Sequence, residues 1–483
     1  MKFDGAFAHT NLIFVQYLRR ASCSAFGTER QLAMSHAKHN LSLTEGSLGK
    51  NILIYSIPLM LTNLLQVLFN MADIAVVGRF SSAAALGEVG STSIMVALFT
   101  GFLIGVSNGA NVLVARFLGA DRKKDVREAV LSSSVVCLFT GILILAVGLA
   151  VSKPLLVLMG TKPELLDGAV LYIKIYFLGM PALAMYNFGN AVYSAAGDTK
   201  KPLIILLCAG VLNVILNLFF VIVCKMSVSG VALASIISQY LSAILVVVFL
   251  VRSHGDYALK IARENFNFKY VKKTVILGYP SGLQNAIFQI ANLFIQSGVN
   301  TFDAVMVEGN SAASNADNVV YDVMAAFYMA CSSFMSQNYG AGKKERVIKS
   351  YLICLAYSFG IAAVLGALFA VFGDIFLLIF TPDKAVISAG MEKLRIMGFS
   401  YAVSAFMDCT IAASRGLGKT VVPTIIVVMG SCVFRIVWVY TVFAFFGTIA
   451  SLYLLYVFSW SITAIAEIIY FRHCYKQQMA LLG

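Results

Sequence analysis

The sequence predicts an all-α integral membrane protein with twelve transmembrane helices in two pseudo-symmetric six-helix bundles. Three observations carry that expectation. Of 483 residues, 59% are hydrophobic and 12% charged, with a mean hydropathy of +0.84, against about 25% charged residues in an average soluble domain. Apolar stretches recur along the whole chain, each long enough to cross a hydrocarbon core of about 30 Å as a helix. The chain also repeats itself. Arg116-Phe117-Leu118-Gly119-Ala120-Asp121-Arg122-Lys123-Lys124 is echoed 221 positions on by Gln337-Asn338-Tyr339-Gly340-Ala341-Gly342-Lys343-Lys344, and the same offset carries Gly197, Thr199 and Pro202 onto Gly418, Thr420 and Pro423. An offset of 222 carries Pro58, Asn63 and Asn70 onto Pro280, Asn285 and Asn292. A duplicated apolar chain of this size points to a transporter built from two structural repeats.

The first six spans are expected at 52–78, 91–117, 129–151, 168–193, 203–224 and 229–251, and the second six at 274–299, 310–336, 350–372, 389–414, 422–446 and 449–471. Basic residues test this count. If the N-terminus is cytoplasmic, 27 of the 36 Lys and Arg residues fall in inner segments and five in outer loops, alternating at each crossing. Both termini are then cytoplasmic, in the cell's inner (plasma) membrane. The net charge of +13 is a topology signal that suits an anionic leaflet, with no nucleic-acid partner.

Residues 1–44 form a leader, disordered or over-extended, with Met34 as an alternative start. Its apolar patch Leu12–Leu18 is too short and wrongly flanked for a secretory signal. Lobes follow at 45–251 and 274–475, joined by a polar cytoplasmic linker at 252–273 that lets them move, and a tail at 476–483. Nine cysteines without CxxC spacing read as buried apolar thiols, not a metal site. All five histidines lie in termini or loops, so none serves as an intramembrane relay. The inner turns Gly197–Pro202 and Gly416–Thr420 use Gly to reverse the chain, with Pro starting the next helix. The second resembles a phosphate-binding loop, but Ala413 stands where that pattern needs Gly. Without an ATP site, and with no enzymatic constellation, pumping must draw on an ion gradient or a partner subunit.

A carboxylate in the hydrocarbon region costs about 2.5–3.5 kcal/mol on insertion scales. Asp73, Asp317, Asp322, Asp408 and Glu467 therefore need a reason, and Arg435 is the clearest intramembrane cation. Each acid is either a structural partner between helices or a proton or cation site. Asp73 lies roughly 30 Å above the start of the first helix, in its outer half. Asn213 and Asn217, four apart, share a face of the fifth helix, and Ser235 lies on the sixth. These oxygens suit Na⁺ or a protonated acid, and the charge of Asp73 should depend on whether its surroundings are open to water. The equivalent position in the second repeat is Phe294 or Ile295, so the lobes are unequal. There the expected polar network is Asp322, Asp408, Arg435 and Glu467, with Asp322 and Arg435 at similar depth and predicted to pair. Asn63, Gln66, Asn70, Gln284, Asn285, Phe288 and Asn292 are the candidate cavity lining for amphipathic, often cationic solutes; such aromatics also serve plain helix packing.

With these residues in hand, the chain resembles the multidrug and toxic compound extrusion (MATE) family over nearly all of 45–475. The matching features are Pro58 to Asp73 followed by Val77-Gly78-Arg79, Arg116 to Gly119, Gly197 to Pro202, Gln337 to Gly342 and Arg415-Gly416-Leu417-Gly418. The pattern is closer to the DinF-like branch than to the NorM-like one. The first-helix Asp is kept, and the seventh-helix Glu expected after Pro280 is missing from Ile287, Phe288 and Gln289. Where that branch often carries Asn-x-x-x-Asp, this chain has Asn213 and Asn217, and Ser235 replaces a common Thr.

The resemblance implies two bundles in a V shape, rocking between inward-open and outward-open states; a monomer is expected. Drugs or toxic metabolites would leave in exchange for Na⁺ or H⁺, with no cofactor. Loss of one carboxylate tilts the expectation toward H⁺ at Asp73, with Na⁺ there the only metal considered. The rival reading is a lipid-linked oligosaccharide or lipid flippase of the same superfamily, which favours a cationic central cavity.

Overall fold

Backbone polar groups in hydrocarbon must be satisfied within the segment, which leaves helices as the available structure for this composition. The computed structural model describes residues 41–81 and 83–482 and contains helices and no strand among them. The N-terminal half holds α1 (Leu48–Phe80), α2 (Ala83–Gly119), α3 (Lys123–Leu158), α4 (Pro163–Leu178 and Met180–Ala195), α5 (Lys200–Val223) and α6 (Val228–Val251). The C-terminal half holds α7 (Phe268–Val299), α8 (Ala304–Gly340), α9 (Lys344–Leu377), α10 (Lys384–Gly416), α11 (Val421–Phe446) and α12 (Ile449–Ala480). Large apolar side chains such as Phe139, Ile375 and Ile469 point outward, as lipid contact requires.

Ten of these helices are long and apolar enough to cross a membrane, and the two segments of α4 together make an eleventh. The twelfth, α7, is long enough but carries Gln284, Asn285, Gln289, Asn292 and Gln296 along one face. Its polar face is the reason it is less apolar than the others. The fourth span, expected as one straight helix, bends by 47° between Leu178 and Met180. A side chain at Gly179 would collide with Oε1 of Gln239 at 2.0 Å, and Pro181 opens the second segment.

The duplication is written into the turns at the Lys/Arg-rich end of the helices. Gly197 and Gly418, 221 residues apart, have φ of +81° and +79°, and Asp121 and Gly342, at the same offset, have +52° and +70°. Both pairs reverse the chain through the left-handed region, where glycine carries no steric penalty.

Side-chain hydrogen bonds between the halves start at this basic end and stop near the helix midpoints. Tyr55 donates to Ser333 Oγ at 2.8 Å, Ser333 to Asn111 Oδ1 at 3.0 Å and Gln337 to the Ala195 carbonyl at 2.6 Å. The bonds furthest along are Asn63 to the Asp322 carbonyl and Asn285 to the Gly101 carbonyl, both 2.9 Å. Between them α2 and α7 meet glycine on glycine. A Cβ on Gly105 would lie 2.3 Å from the Gly282 nitrogen, and one on Gly109 2.6 Å from that of Gly278.

Three expectations change. Residues 1–40 of the leader lie outside the described residues, but its last part is packed: Leu43 is 1% exposed, its carbonyl accepts from Asn338, and that of Thr44 accepts from Lys343. An apolar side chain with engaged carbonyls on either side is held, not loose. The linker is not a free joint either. Tyr257, Ala258 and Leu259 are buried, Asp256 pairs with Lys123 at 3.4 Å, and α7 begins at Phe268, inside the segment expected as linker. Among the thiols, Cys208 and Cys224 are exposed on the apolar surface instead of buried.

Candidate functional site

Four polar side chains from three helices converge inside the N-terminal half. Asp73 on α1 accepts from the Asn217 amide, and its other oxygen accepts from Ser235 Oγ at 3.2 Å. The same Asn217 amide reaches Asn213 Oδ1 at 3.3 Å, and Asn213 in turn donates to Ser235 Oγ at 3.4 Å. The one-turn spacing of the two asparagines on α5 puts both amides on the Asp73 side. Asn217 is fully buried, and its own Oδ1 has no hydrogen-bond partner among the described residues. The stacked rings of Tyr172 and Tyr176 on α4 lie within electrostatic reach of Asp73. Sequence reasoning missed these two, whose i,i+4 spacing one turn apart was the available signal.

A separate cavity of about 610 Å³ lies between the halves. None of the four residues around Asp73 lines it. The N-terminal half contributes a neutral wall that includes Asn63, Gln66, Asn108, Asn187 and Asn190. The facing wall carries Gln284, Asn285, Phe288 and Asn292, together with every charged lining residue: Asp317, Asp322, Asp408, Lys393, Arg415 and Arg435. Asn70 is corrected: it is exposed on α1 and not part of the lining. It sits nearly two turns beyond Asn63, past the level where the halves touch.

The predicted pairing of Asp322 with Arg435 is not formed. Arg435 donates from Nε to Ser459 Oγ and from Nη1 to Asn292 Oδ1, both at 3.4 Å. Its guanidinium lies 5.3, 4.8 and 5.8 Å from the ring centres of Phe288, Tyr456 and Trp460, so aromatic faces take much of the role expected of a carboxylate. Equal depth on two helices says nothing about which way each side chain points around its axis. Asp408 lies within electrostatic reach of Arg435 and Arg415 but forms an ion pair with neither. Glu467 is buried off the cavity, and neither carboxylate oxygen has a hydrogen-bond partner among the described residues.

Arg435 is also not the lone intramembrane cation. Lys393, 3% exposed, pairs with Asp317 at 2.8 Å and donates to Ser314 at 2.7 Å, while Tyr401 donates to the same carboxylate. Arg415 donates to Gln284 Oε1 at 2.8 Å, across from α10 to α7. Lys393 was legible as a basic residue in or at a helix, whereas the charge pattern assigns Arg415 to an inner segment. No cluster of three or more His, Cys, Asp or Glu residues suited to a metal ion occurs among the described residues.

Comparison with known proteins places this arrangement. Residues 58–219 and 280–441 each match the MatE family. The chain is 30% identical over 362 residues to the probable multidrug resistance protein YpnP of Bacillus subtilis, covering 74% of this chain and 80% of that one. It is 24% identical over 388 residues to the probable multidrug resistance protein NorM of Thermotoga maritima, covering 78% and 82% respectively. Its fold matches the solved structure of a MOP superfamily transporter from Pyrococcus furiosus with a TM-score of 0.84 at 21% identity, covering 91% of this chain and 98% of that one. The two matched segments span the two copies of the internal repeat, and the chain belongs to the MatE family of multidrug efflux transporters.

Proposed function

We propose that this protein exports amphipathic small molecules by antiport, exchanging them for H⁺ or Na⁺ at Asp73. The observation that carries this reading is the position of α1. Asn63 and Gln66 on that helix line the cavity, while Asp73, two to three turns further along, sits in a network with an unpartnered acceptor oxygen at Asn217. That oxygen, the Asp73 carboxylate, the Asn213 amide oxygen and the Ser235 hydroxyl suit either a bound Na⁺ or a proton held on the acid. Asn217 in place of a second acid favours the proton, and the same residues support the DinF-like assignment.

With the basic end cytoplasmic, the contacts that stop at mid-depth support the reading of an outward-open state in the plasma membrane. Cation or proton uptake at Asp73 changes its demand on Asn217 and Ser235, and α1 responds around Pro58, where the helix lacks one backbone donor. Movement of α1 shifts Asn63 and Gln66 and so lowers affinity for cargo. The drug leaves outward, and the cation leaves inward once the halves have rocked. Each ligand favours a different state of one two-state element, which is what coupling requires. The lobes, at 45–251 and 274–475, move in a monomer. A lipid-linked sugar is the less suitable cargo, because three acids on the wall offset its three cations.

The test is drug-driven ion flux in proteoliposomes with Na⁺ and pH gradients imposed separately. Wild type should transport a fluorescent amphipathic cation while dissipating one gradient, and Asp73→Asn should bind it without gradient-driven export. Full export by Asp73→Asn would remove Asp73 from the mechanism.

A further inference from the structure

Each half sends the stretch before its first helix across the basic end, onto the start of the other half's third helix. At the offset of 222 Glu45 falls on Asn267, and at 221 Asp125 falls on Arg346, so the two crossings are related as the repeats are. Asn267, ahead of α7, donates to Glu128 Oε2 on α3 at 2.5 Å, and its backbone exchanges two hydrogen bonds of 3.1 Å with Ser132 Oγ. That crossing is part of the covalent connection between the halves and bridges them in any state. The other crossing, residues 42–46 ahead of α1, bridges them by hydrogen bonds, which can break. Four consecutive carbonyls in it accept from the C-terminal half. Leu43 is held by Asn338 Nδ2 at 3.0 Å, Thr44 by Lys343 Nζ at 2.9 Å, Glu45 by Arg346 Nη2 at 3.3 Å and Gly46 by Arg346 Nη1 at 3.0 Å. Nε of Arg346 donates to Asn338 Oδ1 at 3.1 Å, which fixes the guanidinium fork.

The same stretch is folded against its own helix. Asn51, in the first turn of α1, donates from Nδ2 to the Ser42 and Glu45 carbonyls, both at 2.9 Å, and the Glu45 N–H donates to Ser42 Oγ at 3.1 Å. Resting on the two-state reading above, though not on its ion or cargo, we infer that residues 42–46 are a latch on the basic end of the transporter. Lys343 and Arg346 grip the latch while that end is shut, and Asn51 carries it away with α1 when the end opens. Lys343 and Arg346 donate three of the four bonds, so these are charge-assisted and stronger than bonds between neutral groups. On release the four carbonyls pass to water at the basic end and Leu43, 1% exposed, loses its burial. The net loss is small beside the gross strength of the bonds, because water replaces the donors. Such a latch biases the closed state and still lets go on every cycle.

Three spin-label pairs on the full-length protein, with its reactive thiols replaced by Ser, test the latch. Labels at Glu45 and Glu345, both exposed, read latch against C-terminal half; Glu45 and Lys124 read latch against N-terminal half; Lys124 and Lys349 read the opening itself. In Arg346→Ala the long-distance population of the first and third pairs should rise together, roughly tenfold for two lost charge-assisted bonds, with the second pair unchanged. Arg346→Lys should restore part of the closed population, and Lys343→Met, which leaves the fork in place, should show the same pattern more weakly. Asn51→Ala should behave differently. Freed from α1, five residues reach up to about 17 Å when extended, so the third pair should lengthen while the first stays short. A first pair that lengthens in Arg346→Ala and Lys343→Met with the third unchanged would make the stretch a helix entry and no latch. A third pair that lengthens in Arg346→Ala while the first stays short would mean that opening needs no release, and either result overturns the inference. Drug-driven ion flux in proteoliposomes reads antiport separately: a wild type that exports nothing defeats that reading and leaves these distances to decide the latch.

Discussion

The side-chain amide of Asn63 donates to the backbone carbonyl of Asp322 at 2.9 Å, joining α1 to α8 at the level where contact between the halves ends. One such bond contributes about 1 kcal/mol, and its loss should favour separation of the basic ends roughly fivefold. Spin labels at Lys124 and Lys349, exposed at the basic ends of α3 and α9, read this as a distance distribution. Asn63→Ala should raise the long-distance population, and an unchanged distribution would show that the bond does not hold the state.

Gly109 sets the closeness of α2 to α7. Any side chain there meets the Gly278 backbone at 2.6 Å, and backbone cannot swing aside as a flexible side chain can. Gly109→Val should cost about 1–3 kcal/mol by overpacking and drive the same label pair to the long distance in most molecules. A wild-type distance with wild-type melting would mean that the helices separate without loss.

Lys393 and Asp317 should be coupled in stability. Removing Lys393 leaves the partly buried Asp317 carboxylate without its counter-charge, whereas removing both removes the demand. Lys393→Met should lower stability by about 2 kcal/mol, and Lys393→Met with Asp317→Asn by less. Thermal unfolding in detergent measures both, and additive losses would contradict the pairing.

Asn217 should decide how strongly the Asp73 site takes Na⁺. Asn217→Asp adds a second carboxylate beside the first, which repels it unless a cation sits between them. Export by this variant should rise with an imposed Na⁺ gradient and lose dependence on a pH gradient. Identical ion dependence in variant and wild type would count against a coupling ion at this position.

Much was readable from the letters because single residues impose strong demands. An acid at Asp73 in hydrocarbon needs partners, and the one-turn spacing of Asn213 and Asn217 brings two amides to one face, where the structure finds both in its network. Arg435 was equally visible, yet its neighbours were not: Phe288, Tyr456 and Trp460 lie on α7 and α12, and nothing local links them to it. Leu43 looked like part of a leader because its burial depends on Asn338, 295 residues away.

By itself the sequence determined the helical class, the number of crossings and the duplication, because hydropathy, charge alternation and repeat offset are properties of position along the chain. Tertiary structure alone decided which charges meet. Depth along a helix follows from counting residues, but the direction a side chain faces, and so whether Asp322 meets Arg435 or an open cavity, is set by how whole helices rotate and pack against one another.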